Sequence, residues 1–166
     1  MDIIIKEARP EDAAKLIEYT KIVGAQTDNL SFGKEGAGDK HEVEEFIKRI
    51  SLDSKSVMYF AWENDDIVGS ANISGMKRRM SHRANFAISV AKSEWGSGIG
   101  SALLEKCISF AKDNEIEIIN LDTRSDNFRA ISLYKKFGFV KIGRMPAFSK
   151  INGKYIDADL MYLDLR

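Results

Sequence analysis

Apolar residues along the chain change repeatedly between a spacing of two and a spacing of three or four. The changes predict the element order β-α-α-β-β-β-α-β-α-β-β. Ile3-Ile4-Ile5 starts a strand. Pro10-Glu11-Asp12 opens a helix with Ala13, Leu16 and Ile17 as its apolar stripe; proline suits a first helical position and the acids suit its positive end. Residues 24–40 lose the periodicity and are rich in Gly, Asp, Asn and Ser, with Leu30 and Phe32 as isolated apolar points. Loops of that length often act as lids. Asp39-Lys40-His41-Glu42 resembles a capping box, and Val43, Phe46, Ile47 and Ile50 mark a second helix.

Residues 57–62 and 67–73 read as strands of a hairpin around Asn64-Asp65-Asp66, and residues 83–90 as a third antiparallel strand. A glycine-containing loop leads into a helix reaching about Asn114. Residues 116–123 form a buried strand with Ile119, Leu121 and Thr123 on one face. Ala130, Leu133, Tyr134 and Phe137 give a fourth helix its stripe, and Gly138 stops it. Residues 139–149 and 155–165 make a last hairpin around Asn152-Gly153, a strong two-residue turn signal.

At 166 residues the chain is most simply one domain, residues 1–166, able to bury about two-thirds of its unfolded surface. Its 25 basic residues balance 25 acidic ones, which gives no support for a nucleic-acid or membrane-surface partner. Lys77-Arg78-Arg79 with Arg83 is the one basic cluster. Cys107 stands alone, so no internal disulfide forms and a reducing cytoplasm is expected. It lies among Leu103, Leu104, Ile108 and Ala111 at helical spacing and reads as core. The first six residues are too short for a signal peptide and lack a basic start, and no run approaches a membrane span. His41 and His82, far apart and without a cysteine set, argue against a zinc site. No metal is expected.

Two segments carry chemistry. In the first, Ala84, Phe86, Ile88 and Val90 lead through Trp95-Gly96-Ser97-Gly98-Ile99-Gly100-Ser101 into a helix. Alternate glycines let backbone approach an anion, and a helix start offers unpaired N–H groups and a positive dipole end. The combination suits a pyrophosphate, although Gly-x-Gly also occurs in ordinary turns. No Lys follows Gly100, which excludes a Walker loop, and the glycine interval does not fit the dinucleotide fingerprint. The second segment is Leu121-Asp122-Thr123-Arg124-Ser125-Asp126-Asn127-Phe128-Arg129-Ala130-Ile131-Ser132-Leu133-Tyr134-Lys135-Lys136-Phe137-Gly138-Phe139.

In order and spacing, the two segments resemble motifs A and B of the Gcn5-related N-acetyltransferase (GNAT) family, and the resemblance covers nearly the whole chain. The C-terminal part, Gly143-Arg144-Met145 through Asn152-Gly153-Lys154-Tyr155-Ile156-Asp157-Ala158-Asp159-Leu160-Met161, resembles the subgroup that acetylates amino acids and related small amines, in which the last hairpin and the loop after the first helix line the acceptor pocket. The family resemblance implies an α/β (α+β) GNAT fold: a mixed sheet of about seven strands, splayed at the cofactor site and flanked by about four helices. Acetyl-coenzyme A would lie in the gap between the strand near Ser89 and the strand near Asn120. The backbone of Ile88, Ser89 and Val90 would pair with its pantetheine arm. The N–H groups of Gly96, Ser97, Gly98, Ile99, Gly100 and Ser101 would hold its pyrophosphate, and Asn127 would bond the arm. Trp95 departs from the family's usual Gln or Arg, which removes a polar contact to the phosphate loop. The basic cluster would touch the 3′-phosphate or an acidic substrate, or simply face solvent.

Acetyl transfer needs a neutral amine, a polarised carbonyl and a proton for the departing thiolate. By resemblance Tyr134 is the general acid. Asp122 stands at the register of a family base, one methylene short, and could act through water or be only structural. Asn85 occupies another base position but cannot take a proton there; it can orient water or the amine. His82 is a third possibility. Phe32, Glu35, Arg144, Tyr155 and Asp157 are candidate acceptor contacts, an arginine favouring a carboxylate and an acid favouring a cation. The implied function is N-acetylation of a small primary amine. A protein N-terminal or lysine acetyltransferase, or a non-catalytic acetyl-coenzyme A sensor, are the alternatives. Homodimers are common in the family.

Overall fold

The alternation in the sequence becomes seven strands and four α-helices in the computed structural model, which describes residues 2–166. They run β1 (Ile3–Glu7), α1 (Ala13–Gln26), α2 (Lys40–Ser51), β2 (Val57–Glu63), β3 (Asp66–Gly75), β4 (Arg83–Val90), α3 (Ile99–Asp113), β5 (Ile118–Arg124), α4 (Phe128–Lys136), β6 (Val140–Ile151) and β7 (Lys154–Asp164). The order is the one expected. Pro10–Asp12 forms a 3₁₀ turn ahead of α1 rather than its first α-turn.

One sheet holds all seven strands in the order β1-β2-β3-β4-β5-β7-β6. Every neighbouring pair is antiparallel except β4 and β5. A parallel pair needs a crossover, and α3 supplies it. On one face, α3 covers the middle of the sheet: a Cβ added at Gly69 in β3 would meet Leu103 and Ile99 of α3 at 3.0 and 3.1 Å. Leu103, Leu104, Cys107 and Ala111 are fully buried there. Burial pushes the Cys107 thiol up to about 12, which fits an inert core residue.

On the other face, α1 and α2 cover β2 to β4. Val43, Ile47 and Ile50 of α2 are buried at helical spacing, while Phe46 is turned outward under the Arg49 guanidinium. The Asp39 carboxylate accepts the Glu42 N–H at 3.0 Å, the forward half of the expected capping box. α1 runs two residues past the start of the expected loop, because Gly24 lets that loop fold onto the helix. A Cβ at Gly24 would stand 1.9 Å from the Gly33 carbonyl oxygen. The Ala37 N–H donates to Thr20 Oγ1 at 3.1 Å and adds a second tie. The segment is a pinned loop rather than a free lid.

The β6–β7 hairpin turns at Asn152 and Gly153, both at positive φ, as the two-residue signal requires. It extends past the end of β5 and carries an irregularity between Met145 and Ser149, where Asp157 Oδ1 accepts the Ala147 N–H at 3.0 Å. No helix covers β6, so Val140, Ile142, Met145 and Phe148 are exposed.

Candidate functional site

Strands β4 and β5 pair over three rungs only, Arg83–Ile118, Ala84–Ile119 and Asn85–Asn120. Beyond Asn85 the rest of β4 continues to pair with β3, but its β5 side has no partner strand. The sheet therefore forks, and the fork begins deeper than Ser89, at the Asn85–Asn120 rung. β4 then runs directly into the glycine loop at the wide end.

Gly96 and Gly98 sit at φ +82° and +91°, where residues with a Cβ are strained. No atom lies within 4 Å of a Cβ built on either, so the requirement comes from backbone conformation and the space beside the loop is open. Among the described residues the N–H groups of Gly96, Gly98, Ile99, Gly100 and Ser101 have no acceptor in the protein. Ser97 differs: its N–H and its hydroxyl both donate to the Glu94 carbonyl, so its donors serve the loop itself.

Trp95 has a structural task where the family usually has a polar side chain. Its indole N–H donates to the Val90 carbonyl at 3.0 Å. Of the three residues expected to offer backbone along the fork, Val90 thus has its carbonyl engaged. The Ser89 hydroxyl shares a 2.9 Å hydrogen bond with the Tyr19 hydroxyl of α1, which fixes that helix against the strand. Asn127 caps α4, its Oδ1 accepting the Ala130 N–H at 3.3 Å; its amide nitrogen is left for other partners.

Tyr134 is buried on the α3 side of the fork, edge-on to Phe86 of β4 and tilted against Phe139. Burial pushes its phenol well above the usual range, and the nearby charge of Asp122 pushes it further. No hydrogen bond to its hydroxyl is found among the described residues, and its oxygen is not sealed from solvent. Asp122 is on the opposite face of β5 from Ile119 and Leu121, as its alternation predicts. It is exposed, yet the atoms packed around its carboxylate strip away enough water to raise its pKa. Asn85, Asn120 and Asp122 share that face in register, and Asn120 donates to Asn85 Oδ1 at 3.4 Å. Asn120 escaped the sequence reading; its signal was a second polar residue, two before Asp122, in an otherwise apolar strand.

The acceptor candidates do not converge. Phe32 packs partly against the core from the α1–α2 loop. Exposed Glu35 is held below the usual carboxylate range by the Gly33 N–H, which it accepts at 2.8 Å. Arg144 is committed to the buried Asp159, 2.9 Å away, and Asp157 to the Ala147 N–H. Tyr155 projects from the hairpin tip under Lys150. The basic cluster also divides. Lys77 pairs with Asp53 at 2.7 Å, and Arg78 and Arg79 are exposed. All three precede β4, about 23 Å of strand from the glycine loop at its other end. That excludes contact with a phosphate held beside the loop. A cavity of about 560 Å³ between the end of α2 and Lys77 shares no residue with the fork.

The profile of the Acetyltransferase (GNAT) family matches residues 25–139. The chain is 37% identical over 99 residues to the L-amino acid N-acetyltransferase AaaT of Escherichia coli K12, a match spanning 58% of this chain and 60% of that protein. It is 31% identical over 88 residues to the N-alpha-acetyltransferase RimI of Mycobacterium tuberculosis, spanning 52% and 54%. The chain thus spans little more than half the length of these relatives. The solved acetyltransferase of the GNAT family from Streptococcus pneumoniae superposes with a TM-score of 0.93 at 32% identity, covering 98% of this chain and 99% of that one. A phosphinothricin acetyltransferase from Sinorhizobium meliloti, solved in complex with acetyl-coenzyme A, shares the fold with a TM-score of 0.86 at 18% identity, covering 99% and 89%.

Proposed function

The chain belongs to the GNAT acetyltransferase family, and from that membership we propose that it moves an acetyl group from acetyl-coenzyme A to the primary amine of a small molecule such as an amino acid. The observation that carries this reading is the fork: an unpaired strand edge ends in a loop of free N–H groups, with a buried phenol beside it. An amino-acid acceptor is favoured by the likeness to a protein named an L-amino acid N-acetyltransferase.

Acetyl-coenzyme A, when bound, supplies the thioester and the sulfur leaving group. The free N–H groups of Gly96, Gly98, Ile99, Gly100 and Ser101 bind the pyrophosphate, and the backbone of Ile88 with the Val90 N–H aligns the arm, while the Ser89 backbone is turned to β3. The Asn127 amide nitrogen adds a donor. Tyr134 gives its proton to the departing sulfur; its raised pKa keeps that proton in place at neutral pH. Asp122 takes the amine proton through a water that Asn85 orients. Phe32 and Glu35 border the acceptor from the α1–α2 loop.

Residues 1–166 work as one domain without a metal, a nucleic acid or a membrane partner, in the cytoplasm, where a lone buried thiol is at home. Exposed Val140, Ile142, Met145 and Phe148 on β6 support a homodimer, which light scattering checks. The deciding experiment is release of coenzyme A thiol from acetyl-coenzyme A against amino acids, polyamines, aminoglycosides and N-terminal peptides. Release that depends on amino acids is expected. Cofactor binding without release by any acceptor would favour a sensor instead.

A further inference from the structure

The base of the fork holds one cation that no carboxylate neutralises. Arg9, Arg124, Arg144 and Arg166 each have an acidic partner, Arg49 and Arg129 lie over aromatic rings, and Arg78 and Arg79 are exposed. Among the arginines, Arg83 alone is half-buried with no ion pair among the described residues. Its guanidinium Nη2 donates to Asn120 Oδ1, a neutral acceptor that leaves the charge unmatched.

The direction of that bond matters. Arg83 shares its own rung with Ile118, so in reaching Asn120 its side chain leans along the sheet toward the point where the strands part. Asn120 fixes the guanidinium there and is itself braced by Asn85 and Met76. Asp122 stands one strand repeat further on the same face, about 6.6 Å along β5. The face thus holds a cation fixed at Asn120 and, one repeat further on, a carboxylate, in the order in which the carboxylate and the amine of an α-amino acid would meet them. A polyamine would place a positive charge against Arg83.

We propose that Arg83 pairs with the carboxylate of the acceptor and thereby selects free amino acids over amines that lack one. The proposal rests on the acetyl-transfer reading and deepens it: Arg83 takes the role that Arg144, held by Asp159, cannot fill. Asn120 is then a positioning residue that aims the guanidinium.

The test compares each of the twenty L-amino acids with its own carboxamide, using coenzyme A release by the wild-type protein and by Arg83→Gln and Arg83→Lys. A charge-assisted pair in a half-buried site is worth roughly 10- to 100-fold in kcat/KM. The wild type should prefer the free acid by that factor. Arg83→Gln should lose it through KM with kcat little changed, leave the carboxamide reaction near its wild-type rate, and keep acetyl-coenzyme A affinity. Arg83→Lys should recover part of the preference. Equal use of acids and carboxamides by the wild type overturns the proposal, and needs no variant to fold. So does an Arg83→Gln defect of equal size on both acceptors. Release with polyamines or peptides but no amino acid overturns it while leaving acetyl transfer standing. Absence of release with every class removes both readings.

Discussion

The Arg129 guanidinium lies 4.2 Å from the centroid of the Trp95 ring and so ties the start of α4 to the glycine loop across the wide end of the fork. Lys92 approaches the same ring at 5.8 Å, and the indole N–H is anchored on Val90. A residue that departs from the family's usual polar side chain thus becomes a peg that holds the loop from three directions. Its effect on an anion is indirect: it sets where the free N–H groups point and gathers two cations beside them.

Trp95→Ala removes the cation–π contacts of the exposed Arg129 and Lys92 and one hydrogen bond, a loss of about 1–2 kcal/mol. Urea unfolding should record that drop, and calorimetry should record weaker acetyl-coenzyme A binding. Trp95→Phe keeps the ring but not the donor and should fall between. If Trp95→Ala binds as well as the wild type, the peg does not organise the loop.

Tyr134→Phe removes only a hydroxyl that has no partner in the protein, so the fold should persist with nearly unchanged stability. A proton donor contributes roughly 10²–10⁴-fold, so kcat should fall by about that much while acetyl-coenzyme A affinity holds. Burial and the charge of Asp122 raise the phenol's pKa. The acid form therefore persists through alkaline pH, and kcat should show no decline from this group at or below about pH 10. An unaltered kcat in Tyr134→Phe removes the residue from the reaction.

For Asp122 the sign runs the other way. A base must be ionised, and burial raises this carboxylate. The acid limb of kcat/KM should therefore lie above the ordinary aspartate value of about 3.9. Asp122→Asn should abolish that limb and lower kcat. A profile that keeps the limb in the variant assigns it to another group.

Much of the fold was legible because strand and helix periods are written by burial, and burial follows the sheet. Ile119, Leu121 and Thr123 alternate because one face of β5 is covered; Val43, Ile47 and Ile50 recur because one side of α2 is. Phe46 obeyed the same spacing yet faces Arg49, since period alone does not say how wide the covered stripe is. The glycine loop and Tyr134 were legible for a different reason: they belong to short segments whose conformation is local. The acceptor side was not. Arg144 and Asp157 looked like ligands of an amino acid, but their partners, Asp159 and the Ala147 N–H, lie 15 and 10 residues away across the hairpin. Which arginine is free depends on pairing that only the folded sheet fixes.

Asp159 makes that pairing measurable. It is buried, and its Oδ1 accepts from Arg144 Nε at 2.9 Å, Ser125 Oγ at 3.0 Å and Lys141 Nζ at 3.2 Å. Burial alone would raise its pKa, but these donors outweigh it and hold the carboxyl below the usual range. A lowered folded-state pKa contributes stability that is fully present above the unfolded value of about 3.9 and is lost as pH falls from there through the lower folded value. Asp159→Asn keeps the shape and the Ser125 bond but leaves two cations without their counter-charge, so it should cost about 1–3 kcal/mol near pH 7. The cost should shrink as pH falls below about 3.9, where the wild type progressively loses this charge contribution to stability. Arg144→Ala should cost less, about 0.5–1.5 kcal/mol, because Lys141 and solvent remain. Denaturant unfolding of the three proteins from pH 3 to pH 7 checks all of this. A pH-independent gap between Asp159→Asn and the wild type would mean that the group acts through packing rather than charge. Substantial loss of amino-acid turnover in Arg144→Ala at intact stability would return that arginine to the acceptor site.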